Sequence, residues 1–221
     1  MRQVALAFTI MLSGPALAQT APTVGDPVRC EREADCLSKL KGLAKRNGDA
    51  LTLTLENGKS TTIRGNKRAC GTDDDDKCLI QTLRAYLPAQ KIFVVQWNES
   101  EDEGAAVFSA TTGKSVGLGS LPEFSPDGQT FVSVDRDEMN GRDYDVAIWS
   151  VTQGTVKEEF RYKAPESDSL ESWEFLGFDG NDRIKLKVSV SPAGGTMQVK
   201  ETEAVRKGRG WALNWPNAKA K

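Results

Sequence analysis

The sequence predicts a mainly β protein made of repeated four-stranded antiparallel units, preceded by a disulfide-bearing segment with one or two short helices. Three observations carry this prediction. From about Tyr86 onward, short runs rich in β-branched and aromatic residues alternate with Gly, Pro, Asp and Asn turns. Those runs recur with a period of about 40 residues. All four cysteines, Cys30, Cys36, Cys70 and Cys78, lie ahead of the repeats.

The chain opens with Arg2, an apolar run from Val4 to Leu12, Gly14-Pro15 and the small-residue ending Ala16-Leu17-Ala18. This is the pattern of a secretory signal peptide over residues 1–18, cut before Gln19. A bilayer span takes about 20 apolar residues, and no stretch approaches that, so no transmembrane segment is expected. A linker follows over residues 19–32, and residues 33–85 form the disulfide-bearing part. Within it, Glu33 to Arg46 sets Cys36, Leu40, Leu43 and Ala44 at helical spacing, with Asn47-Gly48 as the stop. LTLTLE, Asn57-Gly58 and STTIRG then read as a β-hairpin over Leu51 to Arg64. A second helix is expected over Asp75 to Leu87. It places Leu79, Ile80, Leu83 and Leu87 on one face, acids at its positive end and Pro88 just past its last turn.

The repeats occupy residues 86–215, with a tail over 216–221. YLPAQKIFVV (Tyr86 to Val95) lies over FSPDGQTFVS (Phe124 to Ser133) at an offset of 38, matching Pro88 with Pro126, Phe93 with Phe131 and Val94 with Val132. AVFSATTGK (Ala106 to Lys114) lies over AIWSVTQGT (Ala147 to Thr155) at an offset of 41. A fainter third copy sets FDGNDRIKLKV (Phe178 to Val188) against DGQTFVSV and places VKETEAV (Val199 to Val205) in the later strand position. Each unit reads as four strands. The first has an entry strand near Tyr86, then KIFVVQW, AAVFSA and KSVGLG; the second has PEF, QTFVSVD, DVAIWSV and TVKEEFRY; the third has SWEFLGF, RIKLKVSV, TMQVKETEAV and WALNW. Four strands per period of about 40 residues are the signature of propeller blades. One twisted sheet cannot bury both faces alone, so neighbours stack and share the apolar layer.

The most distinctive segment is FSPDGQTFVSV (Phe124 to Val134) followed by DVAIWSV (Asp145 to Val151). This pair resembles the Ser-Pro-Asp-Gly type of WD-repeat-like blade found in bacterial periplasmic propellers such as the TolB group. The resemblance covers residues 86–215 and implies propeller-like blades that serve binding. Two features depart from it: Trp149 precedes Ser150 instead of an aspartate, and the chain has no histidine, so the buried polar network of that family is absent. Three clear blades are fewer than the four that usually close a ring. Either the hairpin at Leu51 to Arg64 and its cystine-bearing flanks supply a degenerate fourth, or the sheets form an open stack.

Four cysteines behind an export signal read as two disulfides. Of the three possible pairings, the spacing favours Cys30 with Cys36 and Cys70 with Cys78. A zinc site fits poorly, because gaps of five and seven intervening residues do not match the usual close ligand pairs. Removing residues 1–18 takes away Arg2 and no acid, which leaves 28 basic against 31 acidic residues and a net charge of −3. That balance argues against a nucleic-acid partner.

Without histidine, Ser-His-Asp and Cys-His chemistry is excluded for the isolated chain. Acids are plentiful but crowd into turns, where solvation is the default. One set stands out. Asp135, Asp137, Asn140, Asp143 and Asp145 gather hard oxygen ligands in a single connection between paired strands, a pattern that suits calcium. The loop departs from the EF-hand template at Met139 and Asn140. GTDDDDK (Gly71 to Lys77) contains the sequence that enteropeptidase recognises and reads as a solvated loop. Trp97, Trp149 and Trp173 are expected between blades, and Trp211 and Trp215 on a closing aromatic strand, with sugar stacking as the alternative.

The expected protein is therefore exported, periplasmic or secreted, and non-enzymatic. Its propeller-like repeats would form a binding module for another envelope or periplasmic protein, with oligomerisation as one route to missing blades. The alternative is a calcium- or glycan-binding module without a protein partner, and an acid-pair hydrolase comes third.

Overall fold

A computed structural model describes residues 26–100, 102–135, 144–165 and 169–216. The expected signal peptide lies outside them. In chain order the elements are β1 (Val28–Arg29), α1 (Glu33–Lys39), β2 (Ala44–Asn47), β3 (Ala50–Thr54), β4 (Ser60–Arg64), β5 (Ile80–Leu87), β6 (Ile92–Glu99), β7 (Asp102–Ser109) and β8 (Ser115–Leu118). They continue as β9 (Glu123–Phe124), β10 (Thr130–Val134), β11 (Val146–Thr152), β12 (Thr155–Tyr162), β13 (Ser169–Phe178), β14 (Arg183–Pro192), β15 (Gln198–Lys207) and β16 (Gly210–Leu213). They build four antiparallel sheets, ordered β2-β3-β4, β1-β5-β6-β7-β8, β12-β11-β10-β9 and β13-β14-β15-β16. No helix among the described residues is long and apolar enough to cross a membrane.

The N-terminal part departs from expectation in three places. The helix expected over Glu33 to Arg46 ends at Lys39, and Ala44–Asn47 is strand β2. Gly42, at φ +85°, turns the chain between them. Gly48 is a hairpin turn, not a helix stop: Asn47 pairs with Ala50, and Gly48 takes φ +55° at the first position of the two-residue loop. Asp75 to Leu87 is not a helix. A single 3₁₀ turn at Asp75–Lys77 is followed by the eight-residue strand β5. Leu83, Ala85 and Leu87 fit a period of two as well as the leucines fit a helix, and pairing with β6 satisfies the backbone along the strand. Val28 and Arg29, inside the expected linker, pair with Tyr86 and Ala85 as a fifth strand. The hairpin expected at Leu51 to Arg64 forms, with Leu51 opposite Ile63 and Thr54 opposite Ser60, and β2 extends it to three strands.

Alternation along the strands decides what each sheet buries. Leu51 and Leu53 of β3, with Cys36 of α1 and Leu40 just past its end, pack on Leu83, Phe93 and Val95. The opposite face of that second sheet, Ile92, Val94 and Val107, meets Phe131, Trp149 and Val151 of the third. The third sheet turns Val132, Val146 and Ile148 the other way, onto Trp173, Ile184, Leu186 and Trp211 of the fourth. Each fully buried side chain of this size contributes about 1.5–3 kcal/mol. The outward faces of the end sheets are open to solvent and mostly polar, with exposed Lys45, Ser60, Thr62 and Arg64 at one end and the pairs Lys187–Glu174 and Arg183–Glu203 at the other. Among the described residues no further apolar layer joins the two ends.

The internal repeat has a backbone signature. Ala110 N–H donates to Lys91 C=O at 2.8 Å, Val151 N–H to Gln129 C=O at 2.8 Å, and Arg206 N–H to Asp182 C=O at 2.9 Å. These are the same bond in the three units, including the faint third one. Each unit also carries a left-handed glycine in its last hairpin turn: Gly113, Gly154 and Gly208, at φ +76°, +80° and +62°. At Gly154 a Cβ would fall 2.6 Å from Thr111 Oγ1 and 2.9 Å from Ser109 Oγ, both on the preceding sheet. Gly154→Ala is therefore expected to cost roughly 1–3 kcal/mol through backbone strain and this close approach, measured by urea denaturation.

Candidate functional site

The acidic connection proposed for calcium starts where β10 and β11 separate. Asp135 N–H donates to Asp145 C=O at 2.9 Å, so these two residues face each other at the base of the loop. Asp137, Asn140 and Asp143 lie outside the described residues. Among the described residues no group of three or more acids or cysteines is gathered for a metal. The Asp145 carboxylate accepts the Ala164 N–H at 2.5 Å. Burial raises its pKa above the ordinary value, outweighing that hydrogen bond, and the Glu171 charge adds to the rise against the opposing pull of Lys163. The charged form is thus penalised in the folded state. The cost is present in full above the raised pKa and disappears as pH falls toward the ordinary carboxylate range. Asp145→Asn keeps the acceptor and removes the charge. It is expected to raise the melting midpoint at neutral pH and to lose that advantage near about pH 4, which melts across pH will check.

Beside Asp145 lies an acid that sequence reasoning missed. Glu171 on β13 takes three donors: Tyr162 Oη at 2.8 Å and Trp173 Nε1 at 3.2 Å on one oxygen, and Trp215 Nε1 at 3.0 Å on the other. The rings meet edge-on, Tyr162 to Trp173 at 5.3 Å and Trp173 to Trp215 at 5.5 Å. Burial, then the bonded Glu171 carboxylate, push the Tyr162 phenol up. The signal was present in the alternation Glu171-Ser172-Trp173-Glu174-Phe175, which puts one acid on the inward face with the aromatics. Glu159 plays the same part nearby, accepting Trp211 Nε1 at 3.2 Å and Arg206 Nη1 at 3.0 Å. The Arg206 guanidinium also covers the Trp211 ring at 4.6 Å. Trp211 is buried, which removes it as a sugar platform, and the indole N–H of Trp215 is committed to Glu171.

Two sequence strings resolve into ordinary structure. Gly113 to Gly117 reads Gly-x-Ser-x-Gly, but it is the turn into β8, with Ser115 exposed and paired opposite Phe108. A nucleophile elbow needs a strand-to-helix turn. GTDDDDK is a short exposed loop closed by Cys70–Cys78, and the other bridge is Cys30–Cys36. Both are the local pairs. Lys77 is exposed, its ammonium 2.6 Å from Asp74 and its carbonyl accepting Asn66 Nδ2 at 3.0 Å. Enteropeptidase cleavage after Lys77 is expected to give fragments that separate on a gel only after reduction. Separation without reductant would contradict the bridge that spans the cut.

The outward face of the fourth sheet is the remaining feature. Leu170 and Val199 are each 54% exposed and Met197, just before β15, is 59% exposed. Leu170 lies opposite Ser191 and Val199 opposite Ser189, so the two apolar side chains flank a strip of small residues on β14. The charged pairs Lys187–Glu174 and Arg183–Glu203 occupy the rest of that face. Comparison of the chain with protein-family models, with curated protein sequences and with solved structures gives no match.

Proposed function

We propose that this chain is an exported, non-enzymatic interaction module whose stacked sheets correspond to propeller-like blades of the WD-repeat and TolB type. It presents the outward face of β13–β15 to another periplasmic or envelope protein. The observation that carries this reading is the exposure of Leu170, Met197 and Val199 on a stack whose other sheet faces are buried in one another or polar. An apolar patch rimmed by charge is the usual mark of a protein-binding surface. The two disulfides support an oxidising compartment.

A photo-crosslinking residue at position 199 tests the proposal in the native envelope, with one at position 62 on the opposite end sheet as control. The expected result is one defined adduct from position 199 and none from position 62. Loss of that adduct in a Leu170→Glu background would tie it to this face. Recovery of the uncrosslinked chain alone would refute the proposal. Val199→Lys, on a solvent-facing position, is expected to change unfolding free energy by less than about 0.5 kcal/mol, so a lost adduct would reflect binding, not folding.

A further inference from the structure

Among the described residues the four sheets have eight edge strands, and seven of them are protected. β1, β2, β4, β8, β9 and β16 are two to five residues long, and β12, eight residues long, carries Lys157, Glu158, Glu159 and Arg161. Short strands and free charged side chains are the usual means of keeping an edge from pairing with another chain. β13 lacks both. It runs ten residues, Ser169–Phe178, with no lysine, arginine or proline. Its two glutamates are already engaged, Glu171 by Tyr162, Trp173 and Trp215, and Glu174 by Lys187. The first strand of the first unit, β5, shows how the same edge is sealed elsewhere in this chain. β1 pairs with Tyr86 and Ala85, Cys30 N–H donates to Arg84 C=O at 2.9 Å, Glu33 accepts Leu83 N–H at 2.8 Å and Arg46 donates to Gln81 C=O at 2.6 Å. Among the described residues β14 is the one strand bonded to β13, and no turn or side chain bonds the backbone of its other edge.

The edge is also open to solvent. Every residue from Leu170 to Phe178 except Trp173 is at least partly exposed. Leu170 and Leu176 are 54% and 43% exposed, and Phe175 and Phe178 stay partly exposed although Leu186 and Ile184, opposite them on β14, are buried completely. The sequence of β13 is complementary to itself. In an antiparallel pairing centred on Trp173, Leu170 lies opposite Leu176 of a second copy, Ser172 opposite Glu174 and Glu171 opposite Phe175, so the exposed leucines cover each other and no glutamate faces another. Centring on Ser172 sets Leu170 against Glu174, and centring on Glu174 sets that acid against itself, so one register is preferred. Leu176 is the residue that the bulge leaves without an opposite on β14, which puts the bulge at the end of the paired stretch. We propose that the chain forms a two-fold homodimer by antiparallel pairing of β13 with β13 of a second copy, joining the two fourth sheets into one. A two-fold contact requires only one self-complementary surface. The pairing uses the backbone edge of β13 and does not rest on the partner proposed above: the mass of the purified chain reads the one, and the envelope adduct at position 199 reads the other.

Light scattering on the purified, oxidised chain tests this. The measured mass should rise from one chain toward two between about 1 and about 200 µM, the weak range that suits a contact smaller than a standard interface. Over the same range the amides of β13 should gain protection from hydrogen exchange, and those of β12, the other long edge, should not change. Leu176→Lys sets a charge opposite Leu170 at both ends of the pairing and should weaken association by about tenfold or more, with an unchanged melting midpoint at the lowest concentration. Leu170→Lys should do the same from the other side of the contact. Val199→Lys, on β15 and two strands away from the edge, should associate like the native chain. Four results would overturn the proposal: a chain that stays monomeric at the highest concentration, β13 amides that gain no protection as the mass rises, Leu176→Lys and Leu170→Lys chains that associate as strongly as the native one, or a Val199→Lys chain that no longer associates, which would mean that the copies meet through the outward face instead of the edge.

Discussion

Trp173→Ala is expected to destabilise the chain by about 3–5 kcal/mol, the range for removing a fully buried large aromatic. Trp173 is 2% exposed and lies between the third and fourth sheets with Ile184, Leu186 and Val188. Its ring is the shared edge partner of Tyr162 and Trp215, and its indole N–H is one of the three donors to Glu171. Alanine therefore opens a cavity and leaves a partly buried carboxylate with two donors. Against a typical domain stability of about 5–15 kcal/mol, such a loss brings the variant close to unfolding. Trp173→Phe keeps a ring and loses the N–H and some volume, so a cost of roughly 1–2 kcal/mol is expected. Because each sheet contacts only its neighbours along the row, the damage should be local. Hydrogen exchange should show amides of β14 and β15 losing protection before those of β6. Equal loss in both sheets would mean that the stack unfolds as one unit.

The repeat was legible because its strands are short, β-branched and separated by turn residues, and because the matched prolines and phenylalanines sit at equivalent positions. Pro88 and Pro126 follow Leu87 and Ser125 in corresponding turns, and Phe93 and Phe131 are both buried completely. The third unit was faint in sequence because its outward positions are charged, and backbone geometry, not side-chain identity, repeats there. The misreading of Asp75 to Leu87 has a physical cause. Leucines four residues apart satisfy a helical stripe, but the same residues suit a strand, in which a bulge between Leu83 and Ala85 turns Leu83 toward the first sheet and Leu87 toward the third. Glu171 escaped notice because a single polar residue in a strand carries no local pattern. Its significance appears only when a neighbouring sheet shows which donors reach it.

Arg46→Met is expected to cost about 2–4 kcal/mol, somewhat below the range for breaking a fully buried ion pair because the two side chains remain 19% and 20% exposed. The guanidinium joins three elements: Glu33 in the first turn of α1, the Asp49 carbonyl in the β2–β3 turn and the Gln81 carbonyl on β5. Methionine fills the stem but strands the Glu33 carboxylate and two carbonyls. Glu33→Leu should cost a similar amount, since it leaves the guanidinium without its anion and Leu83 N–H without an acceptor. The double variant should cost less than the sum, because neither charge is then left alone. Additive losses in a double-mutant cycle would show that the pair is not coupled. The Cys30–Cys36 bridge is the second clamp on α1, since Cys30 N–H also bonds Arg84 C=O of β5 at 2.9 Å. Reduction removes that clamp. In reduced Arg46→Met protein the amides of Cys36 and Leu40 should exchange freely while β6 and β11 stay protected, and protection that survives at Leu40 would show that burial of Cys36 and Leu40 holds the helix without either tether.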